Sequence, residues 1–106
     1  MLVADCNDFP IGNLFIQLTG DQQITDGRRR AYFYSLRVMD MFQGQGIGTS
    51  LIREAEQMAL QYQLRWATIA ASMDNPRARR LYERLGYKVI AEDDGKACFA
   101  QIAGLR

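Results

Sequence analysis

The chain has 106 residues, of which 48% are hydrophobic and 24% are charged, with a formal net charge of +1. These values are ordinary for one globular domain spanning residues 1–106, and they argue against nucleic-acid binding, which usually requires a basic face. Histidine is absent and only two cysteines are present, Cys6 and Cys98, so we expect no metal site, no disulfide framework and both thiols in or near the core. No apolar run approaches the ~20 residues of a membrane span, and the N-terminus lacks a signal-peptide pattern, so we expect a cytoplasmic protein.

Three strands are predicted in the first part of the chain, at residues 2–6, 11–18 and 31–38. The second strand alternates, with Leu14, Ile16 and Leu18 on one face. The third is rich in aromatic residues, and its alternation predicts one face made of Tyr32, Tyr34, Leu36 and Val38. A turn at residues 7–10 and a polar loop at residues 19–27 connect these strands, as their asparagine, aspartate, glycine and proline content indicates.

Two helices and three strands follow. The first helix, residues 47–62, places apolar side chains at helical spacing on one face: Ile47, Leu51, Ile52, Ala55, Met58, Ala59 and Tyr62. The second begins with Asn75 as N-cap and Pro76 at its first position, and it stops at Gly86. Strands are predicted at residues 64–71, 87–91 and 96–103. The order β-β-β-α-β-α-β-β predicts an α/β fold of the α+β type, in which helices flank a mixed, mostly antiparallel sheet.

A glycine-rich segment, Gln43-Gly44-Gln45-Gly46-Ile47-Gly48, joins the third strand to the first helix. Glycines allow a tight turn and let a ligand approach main-chain N–H groups. The helix start adds unpaired N–H groups and the positive end of its dipole. Together these features predict a site for a phosphate or pyrophosphate. A dinucleotide-binding fingerprint is disfavoured because Thr49 occupies the place of its third glycine, and the Gly-Lys-Ser/Thr ending of an ATP-binding loop is absent.

Two motifs in order resemble those of the GNAT superfamily of N-acetyltransferases. Motif A of that family is matched by Val38, Gln43, Gly46 and Gly48. Motif B is matched by Asn75, Ala78, Leu81, Tyr82, Gly86 and Tyr87. The resemblance covers the chain from about Leu2 onwards and implies a GNAT-like fold. It also implies a short form that lacks the strand and helices with which longer relatives begin.

By this resemblance the protein transfers an acetyl group from acetyl-CoA, its acyl-donor cosubstrate, to a primary amine of a small molecule or protein. The residues implied to bind the cofactor are Leu36, Val38, Gln43, Gly44, Gln45, Gly46, Ile47, Gly48, Thr49, Asn75 and Arg80. A backbone N–H near Val38 is implied to stabilise the oxyanion, and Tyr82 is implied to protonate the departing thiolate. We also expect a homodimer, because the first strand leaves an exposed edge.

Each of these residues has a plainer interpretation. The glycines also suit a tight turn, Asn75 also suits a simple helix cap, and Tyr82 lies on an apolar helix face with Leu81 and Leu85. The arginines of the second helix also suit a solvated edge, with Arg79 or Arg80 as a contact for a CoA phosphate. Asp40, Tyr34 and Asp74 are candidates for a general base, and none is assigned.

Two alternatives to an enzyme therefore stay open. One is an acetyl-CoA-binding module without catalysis. The other is a small interaction domain in which the glycine turn is purely structural. The two differ in whether acetyl-CoA binds at all.

Overall fold

The computed structural model describes residues 1–6, 9–18, 29–72, 74–101 and 104–105. The elements are β1 (Leu2–Cys6), β2 (Phe9–Gln17), β3 (Arg30–Val38), a 3-10 turn (Asp40–Phe42), α1 (Ile47–Gln61), β4 (Trp66–Ser72), α2 (Pro76–Arg84), β5 (Tyr87–Asp93) and β6 (Lys96–Gln101). This order confirms the predicted one. Within the described residues, no helix has the length and hydropathy needed to cross a membrane.

The strands form one six-stranded sheet in the order β1-β2-β3-β4-β6-β5. All neighbours pair antiparallel except β3 and β4, which are parallel. Helix α1 connects β3 to the parallel strand β4, and α2 connects β4 to β5, which runs in the same direction two places further along the sheet. Because such connections are usually right-handed, both helices lie on one face of the sheet. The two helices are in contact there, since a Cβ added at Gly48 of α1 would lie 3.0 Å from Cδ2 of Leu81 on α2.

A single core cluster lies between the two helices and the sheet. The strands contribute Leu14, Phe33, Ile69 and Phe99, each at most 1% exposed. From the two helices the buried residues are Leu51, Ile52, Ala55, Ala59 and Tyr82. The periodicity of the first helix therefore predicted most of the face that α1 buries.

Two predictions about burial are wrong, and one buried charged residue was not predicted. Tyr62 was expected on the buried stripe of α1 but is 61% exposed. The helix ends at Gln61, and Tyr62 has left helical geometry at ψ 12°, so its ring no longer follows the helical period. Cys6 is exposed because it lies at the end of the edge strand β1. The buried charged residue is Glu56 of α1, which is 5% exposed. It accepts a hydrogen bond at 2.7 Å from the hydroxyl of Tyr87, at the start of β5.

The third strand contains a β-bulge that the alternation pattern did not predict. Asn13 pairs with Arg37 and Phe15 pairs with Tyr34, so three steps along β3 oppose two along β2. Ser35 in the bulge has a positive φ of 54°. A bulge exchanges the two faces of a strand. Leu36 therefore packs on the core, as Phe33 does, and the predicted single face from Tyr32 to Val38 is wrong.

Several predicted boundaries shift by one or two residues. The fourth strand begins at Trp66 rather than residue 64, and the fifth extends to Asp93. The sixth ends at Gln101, while Ile102 and Ala103 lie outside the described residues. The predicted loop at residues 19–27 and the first half of the predicted turn at residues 7–10 also lie outside them.

Candidate acyl-donor site

The site begins where the parallel strands β3 and β4 part. Their ladder runs from Arg30 opposite Trp66 to Phe33 opposite Ile69 and ends there. β3 nevertheless continues through the bulge to Val38, still paired with β2 through Gly12. The final residues of β3 therefore present a backbone edge that β4 does not pair, and a gap opens between the two strands.

The chain then turns into α1 through a glycine at its N-cap. Gly46 has φ 82°, a left-handed conformation that favours glycine, and within the described residues no side chain caps this helix. Gly44 is also left-handed, at φ 80°. A Cβ at either position would meet no atom within 4 Å, so the loop surface is open. This concave, uncapped helix start suits a diphosphate group.

Gly48 has a different role from the other two glycines. A Cβ there would lie 3.0 Å from Leu81 and 3.7 Å from Leu36. Its missing side chain therefore lets α1 approach α2 and β3 closely, and the position contributes helix packing rather than an open loop.

Gln43 connects the end of β3 to α2. Its Nε2 donates to the Val38 carbonyl at 3.0 Å and to Asp40 Oδ1 at 3.2 Å, while its Oε1 accepts a hydrogen bond from Arg77 Nη1. One amide side chain thus holds the strand end, the turn and the second helix in register around the loop.

A cavity of about 570 Å³ lies between these elements. Its lining includes ten of the eleven residues predicted to bind the cofactor: Leu36, Val38, Gln43, Gly44, Gly46, Ile47, Gly48, Thr49, Asn75 and Arg80. Gln45 does not line it, and its Nε2 instead donates to the Met41 carbonyl at 3.4 Å. The structure therefore brings the two sequence motifs together in one space.

One face of α2 makes this cavity basic. Arg77, Arg80 and Arg84 line it, at a spacing of three and four residues that places them on the same side of the helix. Arg79 is elsewhere, where it forms ion pairs with Glu83 at 3.8 Å and Glu92 at 3.1 Å. Three cations on the cavity side suit a ligand with several negative charges.

Asn75 acts as the N-cap of α2. Its side-chain oxygen accepts a hydrogen bond from the Ala78 N–H at 3.2 Å, and Pro76 follows at the first helical position. This confirms the predicted helix start. Asn75 also lines the cavity, so the residue that caps α2 belongs to the site as well.

Comparison with known proteins identifies the family to which the two motifs belong. The sequence profile of the Acetyltransferase (GNAT) family matches residues 3–87, which includes both motifs. The chain belongs to the GNAT acetyltransferase family. That assignment rests on the profile match over most of the chain.

Individual relatives extend beyond this chain. Thialysine N-epsilon-acetyltransferase of Mus musculus is 32% identical over 71 residues, which are 67% of this chain and 42% of that protein. The crystal structure of PH1933 from Pyrococcus horikoshii OT3 has a TM-score of 0.81 at 23% identity, covering 93% of this chain and 62% of that one. The PaiA N-acetyltransferase of Thermoplasma acidophilum, solved with coenzyme A, has a TM-score of 0.80 at 17% identity, covering 93% and 57%. The chain thus spans less than half of the curated mouse relative, and the two structures establish the shared fold.

Tyr82 of this GNAT chain lies beneath the cavity rather than in its lining. It is 2% exposed, and its ring meets the Phe99 ring edge-on at a centroid distance of 5.4 Å. Burial raises the pKa of Tyr82 to about 12. The phenol is therefore a weaker acid than that of an ordinary tyrosine, and its ring also contributes to the core.

The three candidates for a general base are dispersed. Asp40 accepts a hydrogen bond from Gln43 in the turn after β3. Asp74 accepts one from the Ser72 hydroxyl at the end of β4. Tyr34 stacks on Phe15 at 5.4 Å, on the sheet face opposite the helices. They do not converge on one point, so the geometry singles out none of them.

Five cavity residues were not predicted as site residues: Phe42, Arg77, Ala78, Leu81 and Arg84. The two arginines were detectable from sequence, because they share a helix face with Arg80 at the spacing of adjacent turns. Phe42 lies in the 3-10 turn, for which the sequence offered no periodic pattern.

Proposed function

We propose that this GNAT chain binds acetyl-CoA and transfers the acetyl group to a primary amine. The observation that supports this best is the cavity in which an uncapped, glycine-formed helix start faces three arginines. Anion-binding N–H groups and cations thus converge beside an unpaired strand edge. That combination suits a long ligand with a diphosphate, a further phosphate and a chain of amides.

Each part of acetyl-CoA can be matched to a group of residues in the cavity. The loop of residues 43–48 and the first turn of α1 would hold the pyrophosphate, because their N–H groups, apart from that of Gln43, which donates to the Asp40 carbonyl at 3.3 Å, are the open donors of the site. The strand edge at Leu36 and Val38 would pair with the pantetheine amides, as an added strand does. Asn75 would contact the same arm through its nitrogen, and Arg80 would bind the 3′-phosphate.

Acetyl-CoA would supply a thioester whose carbonyl carbon is open to attack by a neutral amine. The chain's contribution near that carbonyl is the Val38 N–H. Met39 N–H points to β2, where it donates to the Ile11 carbonyl at 2.8 Å, so strand alternation turns the Val38 N–H towards the gap beside β4. A fixed N–H aimed into this gap is the kind of donor that stabilises an oxyanion.

The transfer balances without a further reactant. A carbon–nitrogen bond forms to the amine, the carbon–sulfur bond of the thioester breaks, and the electron pair leaves on sulfur. The amine loses one proton, and the thiolate gains one. We propose Tyr82 as the donor of that second proton, supported by its place in the second motif beside Leu81, which lines the cavity. The buried ring would have to turn, or a water would have to relay the proton, to reach the sulfur.

Replacing Tyr82 by phenylalanine tests this role. The ring and its Phe99 contact stay while the hydroxyl is lost, so a proton donor predicts a fall in kcat of at least about tenfold with little change in acetyl-CoA affinity. Steady-state kinetics and calorimetric titration separate the two. An equal loss of both, or a loss of folded protein by circular dichroism, would assign Tyr82 to packing alone.

The finer features of the proposal concern the whole protein. We propose that residues 1–106 act as one acetyl-CoA-binding domain, in the cytoplasm and as a homodimer. The exposed edge strand β1 supports a dimer, because an unpaired edge invites strand pairing. Thialysine, named for the mouse relative, is the first acceptor to assay. Light scattering coupled to size-exclusion chromatography tests the dimer.

Calorimetric titration with acetyl-CoA tests the central claim, with ATP and NADH as controls. Micromolar binding selective for acetyl-CoA, followed by release of free thiol with an amine, is the expected result. Binding without turnover on any amine would instead establish a non-catalytic acetyl-CoA module. No binding would leave a small interaction domain whose glycine loop is only a turn.

A further inference from the structure

A second cavity, of about 590 Å³, adjoins the end of β3 from the other side of the sheet. Val38 lines both this cavity and the candidate acyl-donor site. Asn13 and Phe15, which also line it, flank Leu14 along β2, and Leu14 is fully buried under the helices. Because neighbours along a strand point to opposite faces, the second cavity lies on the face away from the helices.

The two cavities therefore approach each other at Val38, at the end of β3. Strand alternation also directs the N–H of Val38 towards the gap beside β4. A thioester held along β3 from the helix side would present its carbonyl carbon towards the second cavity. This arrangement gives the second cavity the position of an acceptor site for the proposed transfer.

The lining of the second cavity is mostly apolar. Val3, Phe15 and Met39 contribute, and they are 50%, 38% and 40% exposed. Side chains this large and this exposed on one concave surface suit an aliphatic or aromatic portion of a ligand. Such a surface gains little from a small, fully hydrated amine.

Arg37 is the one residue with a charged side chain among the described residues that line this cavity. It pairs with Asn13 across the strands, which places both side chains on the same face. Among the described residues Arg37 forms no ion pair, so its guanidinium is available to a ligand there. A guanidinium recognises a carboxylate well and repels a second ammonium group.

We infer that the acceptor is a primary amine carrying an apolar segment and a carboxylate, with Arg37 as the residue that selects the carboxylate. This inference rests on the proposed function, because it names the acceptor class of the same reaction. It excludes polyamines as preferred acceptors, since they would bring a second cation next to Arg37 without a partner for it.

Three linear amines of equal length test the inference: 6-aminohexanoate, 6-aminohexanamide and 1,6-diaminohexane. We expect kcat/KM to be about tenfold higher for the carboxylate than for the neutral amide, and lowest for the diamine. Arg37→Gln should erase the first preference, and Arg37→Glu should make the diamine the best of the three. KM for acetyl-CoA should stay unchanged, because Arg37 does not line the donor cavity.

Arg65→Gln provides the matched control, since Arg65 is an exposed arginine outside both cavities. It should preserve the order of the three amines. A carboxylate preference that survives Arg37→Gln, or a wild-type preference for the diamine, would overturn the inference while leaving the proposed transfer intact. Binding of acetyl-CoA without acetylation of 6-aminohexanoate would also overturn it. Loss of acetyl-CoA binding in the wild-type protein would instead remove the proposed function.

Discussion

The two helices begin at the same cavity in opposite ways. α1 starts at Gly46, in a left-handed conformation and with no side-chain cap within the described residues. α2 starts at Asn75, whose own oxygen accepts the Ala78 N–H, and then Pro76, which has no N–H to offer. More free first-turn donors therefore remain at α1 than at α2, where one position has no N–H and the Ala78 N–H is capped.

In the proposed function this difference decides which helix start binds the diphosphate, since an N-terminus can bind an anion only through donors that are left over. α2 contributes to the cavity by another route, through the side chains of Arg77, Arg80 and Arg84. One helix thus offers backbone donors and the other offers charges. Gln43 is hydrogen-bonded to both the Val38 carbonyl and the Arg77 guanidinium, so it fixes the position of α2 relative to the strand end that leads into α1.

The largest effect should come from placing a negative side chain in the α1 start. Gly46→Glu strains a left-handed residue and brings a carboxylate to the anion site, so acetyl-CoA affinity should fall more than about a hundredfold, or ~2.7 kcal/mol. Calorimetric titration measures it. The matched control is Gly95→Glu, since Gly95 is also left-handed, at φ 76°, with open space around it.

Gly95 lies in the turn between β5 and β6, away from the cavity lining. Both variants should lose a similar, small amount of stability, about 1–2 kcal/mol in thermal unfolding. Only Gly46→Glu should lose binding. Equal affinities in the two variants would mean that the α1 start does not hold the ligand.

The next largest effect should distinguish the arginines of α2 that face the cavity from the one that does not. Arg80→Ala should weaken acetyl-CoA binding about tenfold, or ~1.4 kcal/mol, and the loss should shrink when dephospho-CoA replaces CoA. Arg79→Ala is the control, because Arg79 is on the same helix but bonds Glu83 and Glu92 instead. Its affinity should change less than about twofold. A larger loss in Arg79→Ala than in Arg80→Ala would reverse the assignment of the two faces.

Sequence patterns predicted most of this arrangement because the patterns are local. The glycine spacing, the asparagine–proline start of α2 and the stripe on α1 each act within a few residues, and the structure confirms the elements they predict. The order of elements then restricts the topology, since parallel crossovers through helices are right-handed.

What the sequence could not supply depends on pairing between distant segments. The bulge at Ser35 exists only relative to β2, so the alternation in β3 predicted the wrong face beyond it. Glu56 looks like a surface residue until Tyr87, from β5, supplies its hydroxyl. The position of Arg79 likewise depends on Glu92 in a later strand.

The smallest effects should come from Asn75, which caps α2 and is also proposed to contact acetyl-CoA. Asn75→Ala removes the oxygen that caps α2, so unfolding free energy should fall by ~1 kcal/mol in thermal or urea denaturation. Asn75→Ser keeps a neutral capping oxygen while removing the amide nitrogen, so its stability should match the wild type. If Asn75 only caps the helix, acetyl-CoA affinity in Asn75→Ser should change less than about twofold. The proposed contact with the ligand arm predicts a larger loss in Asn75→Ser, although this variant keeps the cap and adds no charge, and that result would show that one side chain serves both the helix start and the ligand.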